Sequence, residues 1–220
     1  VDWWETTFRK ISNNIRGNVN VSGGGKSVRY YVAGSFYSEN GIFKPVKNPQ
    51  YDPQVGYKKI NFRANVDINV TRLTELSLSL SNQYEIKNRL GVAMESVYNN
   101  TLAVPSVAVV PVFSDGSLSR PIVGTNPYLD LNYTGYSADF WNNAQYLISL
   151  TQDFSFITPG LYGNAKFSWD ARNESTLDKR KSSVTYDALG RDKEGNLIIH
   201  HNSDGNDYHY LARPNRWAQN

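Results

Sequence analysis

The chain has 220 residues, a formal net charge of +3, 40% hydrophobic and 20% charged residues, enough apolar content to exclude wholesale disorder. Mean hydropathy is −0.53 and the longest apolar run, Val104 to Phe113, is broken by Pro105 and Pro111, so a helical membrane protein is excluded. The basic residues are scattered, which argues against a nucleic-acid partner, and the absence of cysteine removes disulfides and thiolate chemistry.

In chain order the main signal is period-two alternation. Ile15, Gly17, Val19 and Val21 oppose Arg16, Asn18, Asn20 and Ser22, and a Gly-rich turn at Gly23–Ser27 follows. Val28, Tyr30, Val32, Gly34 and Phe36 then alternate with Arg29, Tyr31, Ala33, Ser35 and Tyr37. The clearest strand sets Ile60, Phe62, Ala64, Val66, Ile68 and Val70 against Asn61, Arg63, Asn65, Asp67, Asn69 and Thr71. After a turn at Arg72–Glu75, Leu76, Leu78 and Leu80 face away from Ser77, Ser79 and Ser81, and the strand continues towards Ile86. The pattern resumes at Tyr146, Ile148 and Leu150, with Leu147 on the polar side and Gln152 on the apolar one. A Thr158–Gly160 turn leads into Leu161, Gly163, Ala165, Phe167 and Trp169. Beyond Ser175 the alternation weakens, with strand ends expected at Val184–Tyr186 and Asn196–His200 around a turn at Asp192–Asn196.

These strands run about 10 to 14 residues, whereas globular strands usually have about 5 or 6 and a tilted membrane-crossing strand needs about 9 to 11. The tight turns alternate with long connections at Ser38–Gly56 and Lys87–Asn142 and a third opening after Arg172, the loop sorting of outer-membrane barrels. The polar faces are rich in Asn, Ser and Thr, as suits a water-filled or plugged lumen. Phe36, Tyr37, Tyr84, Phe154, Phe156 and Trp169 are placed as interfacial girdle residues. The expected fold is all-β, a partial segment of a large antiparallel transmembrane β-barrel with long extracellular loops. The competing reading is a soluble β-sandwich that binds carbohydrate and buries the same apolar faces. Six clear strands do not close a barrel around a lumen, and neither Val1 nor Asn220 looks like a natural terminus, so a piece of a longer protein is expected.

No catalytic constellation stands out, and neither a Gly-x-Ser-x-Gly elbow nor a phosphate loop before a helix occurs, so no enzyme is expected. His200, His201 and His209 near Asp204 and Asp207 suggest a metal site on paper, but polar loop residues are the simpler reading, and no metal or cofactor is assigned. The connection 87–142 is the best functional candidate because long loops usually carry function. A short helix is expected within Gly91–Leu102, and Tyr98, Tyr128, Tyr133, Tyr136 and Trp141 are the candidate ligand-binding residues, through stacking on sugar rings or gripping a peptide. The plainer alternative is that they pack the loop, form the girdle or contact a partner.

Several motifs carry a resemblance to a known family. Asp2-Trp3-Trp4, Phe8-Arg9, Val21-Ser22-Gly23-Gly24-Gly25 leading into Arg29-Tyr30-Tyr31, Gly41-Ile42 and Asn61-Phe62-Arg63-Ala64-Asn65-Val66-Asp67 resemble the SusC/RagA family of TonB-dependent outer-membrane transporters. Gln152-Asp153-Phe154, Gly160-Leu161 and the run Asp192–Leu197 resemble it too, so the likeness spreads over most of the chain. It implies a barrel of about 22 strands filled by an N-terminal plug, importing oligosaccharides or peptides with energy from TonB, beneath a SusD-like surface lipoprotein. The present segment is then barrel wall with lipid outside, in a Gram-negative outer membrane. The plug and the TonB contact are expected to lie beyond this segment.

Overall fold

The computed structural model describes residues 1–46, 51–121, 124–203 and 216–218. Six long strands form one antiparallel meander: β1 (Asn14–Gly24), β2 (Val28–Asn40), β3 (Gly56–Asn69), β4 (Thr74–Leu90), β5 (Gly135–Asp153) and β6 (Tyr162–Arg180). Each pairs with its neighbours in sequence, without a register break from β1 to β6. The lengths grow from 11 residues in β1 to 19 in β5 and β6. A hairpin of β7 (Thr185–Arg191) and β8 (Leu197–Ser203) forms a separate two-stranded sheet, and β9 (Arg216–Ala218) pairs with β6 at Arg172–Glu174.

Unbroken register carries the alternation of each strand across the whole sheet, because slipping by one residue would turn every side chain to the opposite face. One cross-strand row reads Val21, Val32, Ala64, Leu80, Tyr146 and Trp169. The next towards the tight turns reads Tyr30, Val66, Leu78, Ile148 and Phe167. This face is uncovered: Val19 is 67% exposed, Ile60 51% and Phe167 64%. Asn82 and Asn142 interrupt it, and the Asn82 amide donates to Asn142 Oδ1 at 2.8 Å, so each satisfies part of the other's polar demand. Between Leu76 and Ile86 the strand rises about 33 Å. At the tilt usual for barrel strands this spans about 25 Å, the height of an outer-membrane apolar band.

The opposite face is polar and cross-linked. Lys59 pairs with Glu85 at 3.5 Å, and Arg29 reaches Glu75 at 3.4 Å and Asp67 at 3.8 Å. The Asn61 amide donates to Ser35 Oγ at 2.9 Å, and Ser77 Oγ donates to Asp67 Oδ1 at 2.8 Å. Leu147 lies on this face between Ser79 and Ser168, as its sequence position requires.

A sandwich would bury the apolar face under a second sheet. Among the described residues no such sheet lies there, since the β7–β8 hairpin docks instead on the connection after β4 through Arg120 and Tyr186. The described residues thus form an open antiparallel sheet of barrel-wall type, not a two-sheet sandwich.

The buried hydrophobic side chains gather mostly at one end of the sheet. Three short helices, α1 (Trp3–Thr7), α2 (Met94–Ala103) and α3 (Pro127–Asn132), meet the connection between β2 and β3 there. Asp2 caps α1 by accepting from the Glu5 amide, and Asn126 caps α3 by accepting from the amides of Tyr128 and Leu129. Phe8, Phe43, Leu90, Val97 and Leu131 form one cluster, and Trp3, Val104 and Val109 another. We call this unit the cap. Its base closes where the Gly91 amide donates to the Gly135 carbonyl at 3.1 Å. Gly135 has φ +89°, which favours glycine, and a Cβ there would overlap the Lys179 carbonyl.

Several expected boundaries move. Because β4 runs to Leu90 and β5 starts at Gly135, the connection is 91–134 and not 87–142. Phe140 beside Trp141 and Asn142 beside Asn143 hide the alternation at the start of β5. The third long connection opens after Arg180 rather than Arg172, for β6 continues unbroken through its charged stretch. The helix expected within Gly91–Leu102 is α2, and the expected ends near Val184–Tyr186 and Asn196–His200 belong to the β7–β8 hairpin. Two girdle assignments change. Tyr37 points to the polar face, where its ring lies 6.0 Å from that of Tyr57, and Trp169 sits in mid-band stacked on Tyr146 at 5.2 Å.

Candidate functional site: a polar cleft beneath the cap

The site is built where the polar face of the sheet runs under the cap. Register places Arg89 on β4, Ser137 on β5 and Asp178 on β6 side by side in one row. One step along, Asp139 lies between Lys87 and Thr176. Asp139 is 5% exposed and its carboxylate holds the Arg89 guanidinium at 2.6 Å, while Thr176 Oγ1 donates to Asp139 Oδ1 at 2.9 Å. A charge this buried requires such partners.

From the cap, Asp130 of α3 and Asn100 of α2 face this row, the Asn100 amide donating to Asp130 Oδ2 at 3.0 Å. Burial pushes the Asp130 carboxyl above its ordinary value, against the smaller lowering effect of the Asn100 hydrogen bond. Arg89, Ser137 and Asp178 of the row line a cleft of about 930 Å³ with Asn100 and Asp130 of the cap, and Arg180 also borders it. Its lining carries both charge signs, several hydroxyls and amides, and no aromatic ring.

The five aromatic candidates do not converge there. Tyr98 on α2 packs edge-on against Phe8 at 5.9 Å and Trp4 at 6.5 Å, in the outer part of the cap. Tyr128 and Tyr133 lie at the two ends of α3 with rings 6.1 Å apart, and burial raises the Tyr128 hydroxyl pKa. Tyr136 and Trp141, expected in the loop, are strand residues of β5. Tyr136 stacks on Tyr51 at 5.9 Å, and the Tyr51 hydroxyl accepts from the Gly135 amide and donates to the Asn132 carbonyl. Trp141 lies on the polar face between Glu85 and Glu174 and lines a second groove with Tyr57, Val55 and Lys87. Of the metal candidates, His200 and His201 sit on β8, while His209, Asp204 and Asp207 lie outside the described residues. Among the described residues no three His, Cys, Asp or Glu side chains gather as a metal site.

Sequence reasoning missed Arg89, Ser137, Asp139 and Asp178. Extending the alternation of β4 beyond Ile86 would have put Arg89 on the polar face, but nothing local foretells its pairing with Asp139, 50 residues away.

A two-faced, single-layer antiparallel meander with its loops sorted by length defines a stretch of β-barrel wall. Among solved structures, the RagAB peptide importer in its closed-closed state is similar, with 20% sequence identity and a TM-score of 0.57 over 82% of this chain and 19% of that chain. That likeness is one of fold, and the chain spans a minor part of its neighbour's length. No protein-family model matches the chain, and no curated protein does.

Proposed function

We propose that this chain is part of the wall of an outer-membrane importer, with the apolar face towards lipid and the polar face towards the lumen. The observation that carries the reading is the uncovered apolar face, about 25 Å tall, on a sheet whose other face is hydrogen-bonded and ion-paired. Contiguous apolar surface on this scale is costly in water, whereas lipid accepts it. The fold likeness to the RagAB peptide importer supports the same reading.

On this reading the cap and the connection 91–134 lie outside the cell, and the turns at 25–27, 70–73 and 154–161 face the periplasm. A SusD-like surface lipoprotein covers the cap, TonB supplies energy through a plug, and the cargo is an oligosaccharide or a peptide. No step of covalent chemistry is assigned to the chain. Protease treatment of intact cells tests the sidedness. Cleavage within 91–134, with the Lys26 and Arg72 turns protected until the cells are lysed, is expected. Cleavage at Lys26 or Arg72 on intact cells overturns the orientation, and recovery of the protein outside the membrane fraction overturns the importer reading.

A further inference from the structure

Several buried groups in the cleft beneath the cap lack the partners their burial demands. Ser137 is 7% exposed and its hydroxyl has no hydrogen-bond partner. Arg89 Nε is also buried without a partner, although its terminal nitrogen holds Asp139. Leaving such a group unsatisfied is costly, and native structures keep few of them. Asp130 adds a carboxylate whose burial disfavours its charge, and among the described residues no cation pairs with it. These groups border a single space with room for a ligand of several residues.

We propose that this cleft binds a peptide, with the ligand's ammonium terminus at Asp130 and Asn100 and its backbone amides and carboxylate along the row from Ser137 to Arg89 and Arg180. This rests on the importer reading and selects between its two cargo classes. Sugar recognition relies on aromatic faces, and here the rings lie elsewhere: Tyr98 on the outer cap, Tyr136 on Tyr51, Trp141 in the second groove. A peptide needs both charge signs with hydroxyl and amide partners between them, and the cleft offers that set. An incoming ammonium would also relieve the buried Asp130 carboxylate.

The test uses the full-length protein purified from membranes, wild type and Asp130→Asn, with Ser137→Ala as a second variant. Three probes are compared: a random hexapeptide pool with free termini, the same pool N-acetylated, and maltoheptaose. The wild type should bind the free pool at least tenfold more tightly than the acetylated pool and should bind maltoheptaose weakest. Asp130→Asn should lose that tenfold preference while binding the acetylated pool unchanged, a pattern that general damage to the cap would not produce. Ser137→Ala should weaken both pools severalfold. Equal binding of the two pools by wild type, an unchanged preference in Asp130→Asn, tighter binding of maltoheptaose, or no peptide binding by protein that remains folded on a cold gel each overturns the proposal. Membrane fractionation of the same preparation reads the importer proposal separately, so a membrane-assembled protein indifferent to these changes sinks the cleft alone.

Discussion

Leu80 and Ser79 are adjacent on β4 at the same depth in the sheet, and they point to opposite faces. Leu80 lies in the row of Ala64 and Tyr146, near the middle of the apolar band, and Ser79 lies between Asn65 and Leu147 on the polar face. If the apolar face meets lipid, Leu80→Arg places a guanidinium near the bilayer midplane, at a cost of about 2–4 kcal/mol. That corresponds to roughly a thirtyfold to several-hundredfold loss in the folding equilibrium. Ser79→Arg puts the same charge on the lumen side, where water and the neighbouring Asp170 groove receive it. The assay is the heat-modifiable mobility of each variant in the outer-membrane fraction, followed by urea titration of protein folded into vesicles. Leu80→Arg should be depleted and unfold at lower urea, while Ser79→Arg should follow the wild type. If the two variants behave alike, or Ser79→Arg is the more damaged, the assignment of faces is refuted.

Other consequences concern the cap and the hairpin. Leu131 is 1% exposed in the core shared with Phe8, Phe43, Leu90 and Val97, so Leu131→Ala should destabilise the cap by about 2–5 kcal/mol. Faster proteolysis within 91–134, with the heat-modifiable wall retained, is the expected result. Gly135→Ala combines a strained φ of +89° with overlap onto the Lys179 carbonyl and should cost more than about 1 kcal/mol, read as lost amide protection at Gly91. In the β7–β8 turn, the Asn196 side chain and the amides of Asn196 and Glu194 donate to the Asp192 carboxylate and hold its pKa below the ordinary 3.8. This depressed value stabilises the turn above pH 3.8, and the contribution is lost as the pH falls through the lower folded value. Protection of the Glu194 and Asn196 amides, taken relative to the intrinsic exchange rate at each pH, should therefore hold down to that lower value and fall below it, and Asp192→Ala should abolish the step.

The sequence by itself determined the strands, their two faces and the tight turns, because alternation and turn chemistry are written in neighbouring residues. Ile60 to Val70 needs no tertiary information to declare which side chains share a face. The open, barrel-type sheet follows from strand length and loop sorting in the same way. Where local contrast fails, as at Phe140-Trp141-Asn142-Asn143, the start of β5 is hidden, and Tyr136 and Trp141 read as loop residues although they belong to the strand. Only the tertiary structure decided the candidate site. The row of Arg89, Ser137 and Asp178 exists because the registers of β4–β5 and β5–β6 both hold, and those registers join residues 48 and 41 positions apart. Its other wall comes from α2 and α3, whose placement depends on Leu90, Val97 and Leu131 finding Phe8 and Phe43 from distant parts of the chain. Side-chain period is a local property, whereas convergence of polar groups beneath a cap is set by long-range pairing that no short window of sequence contains.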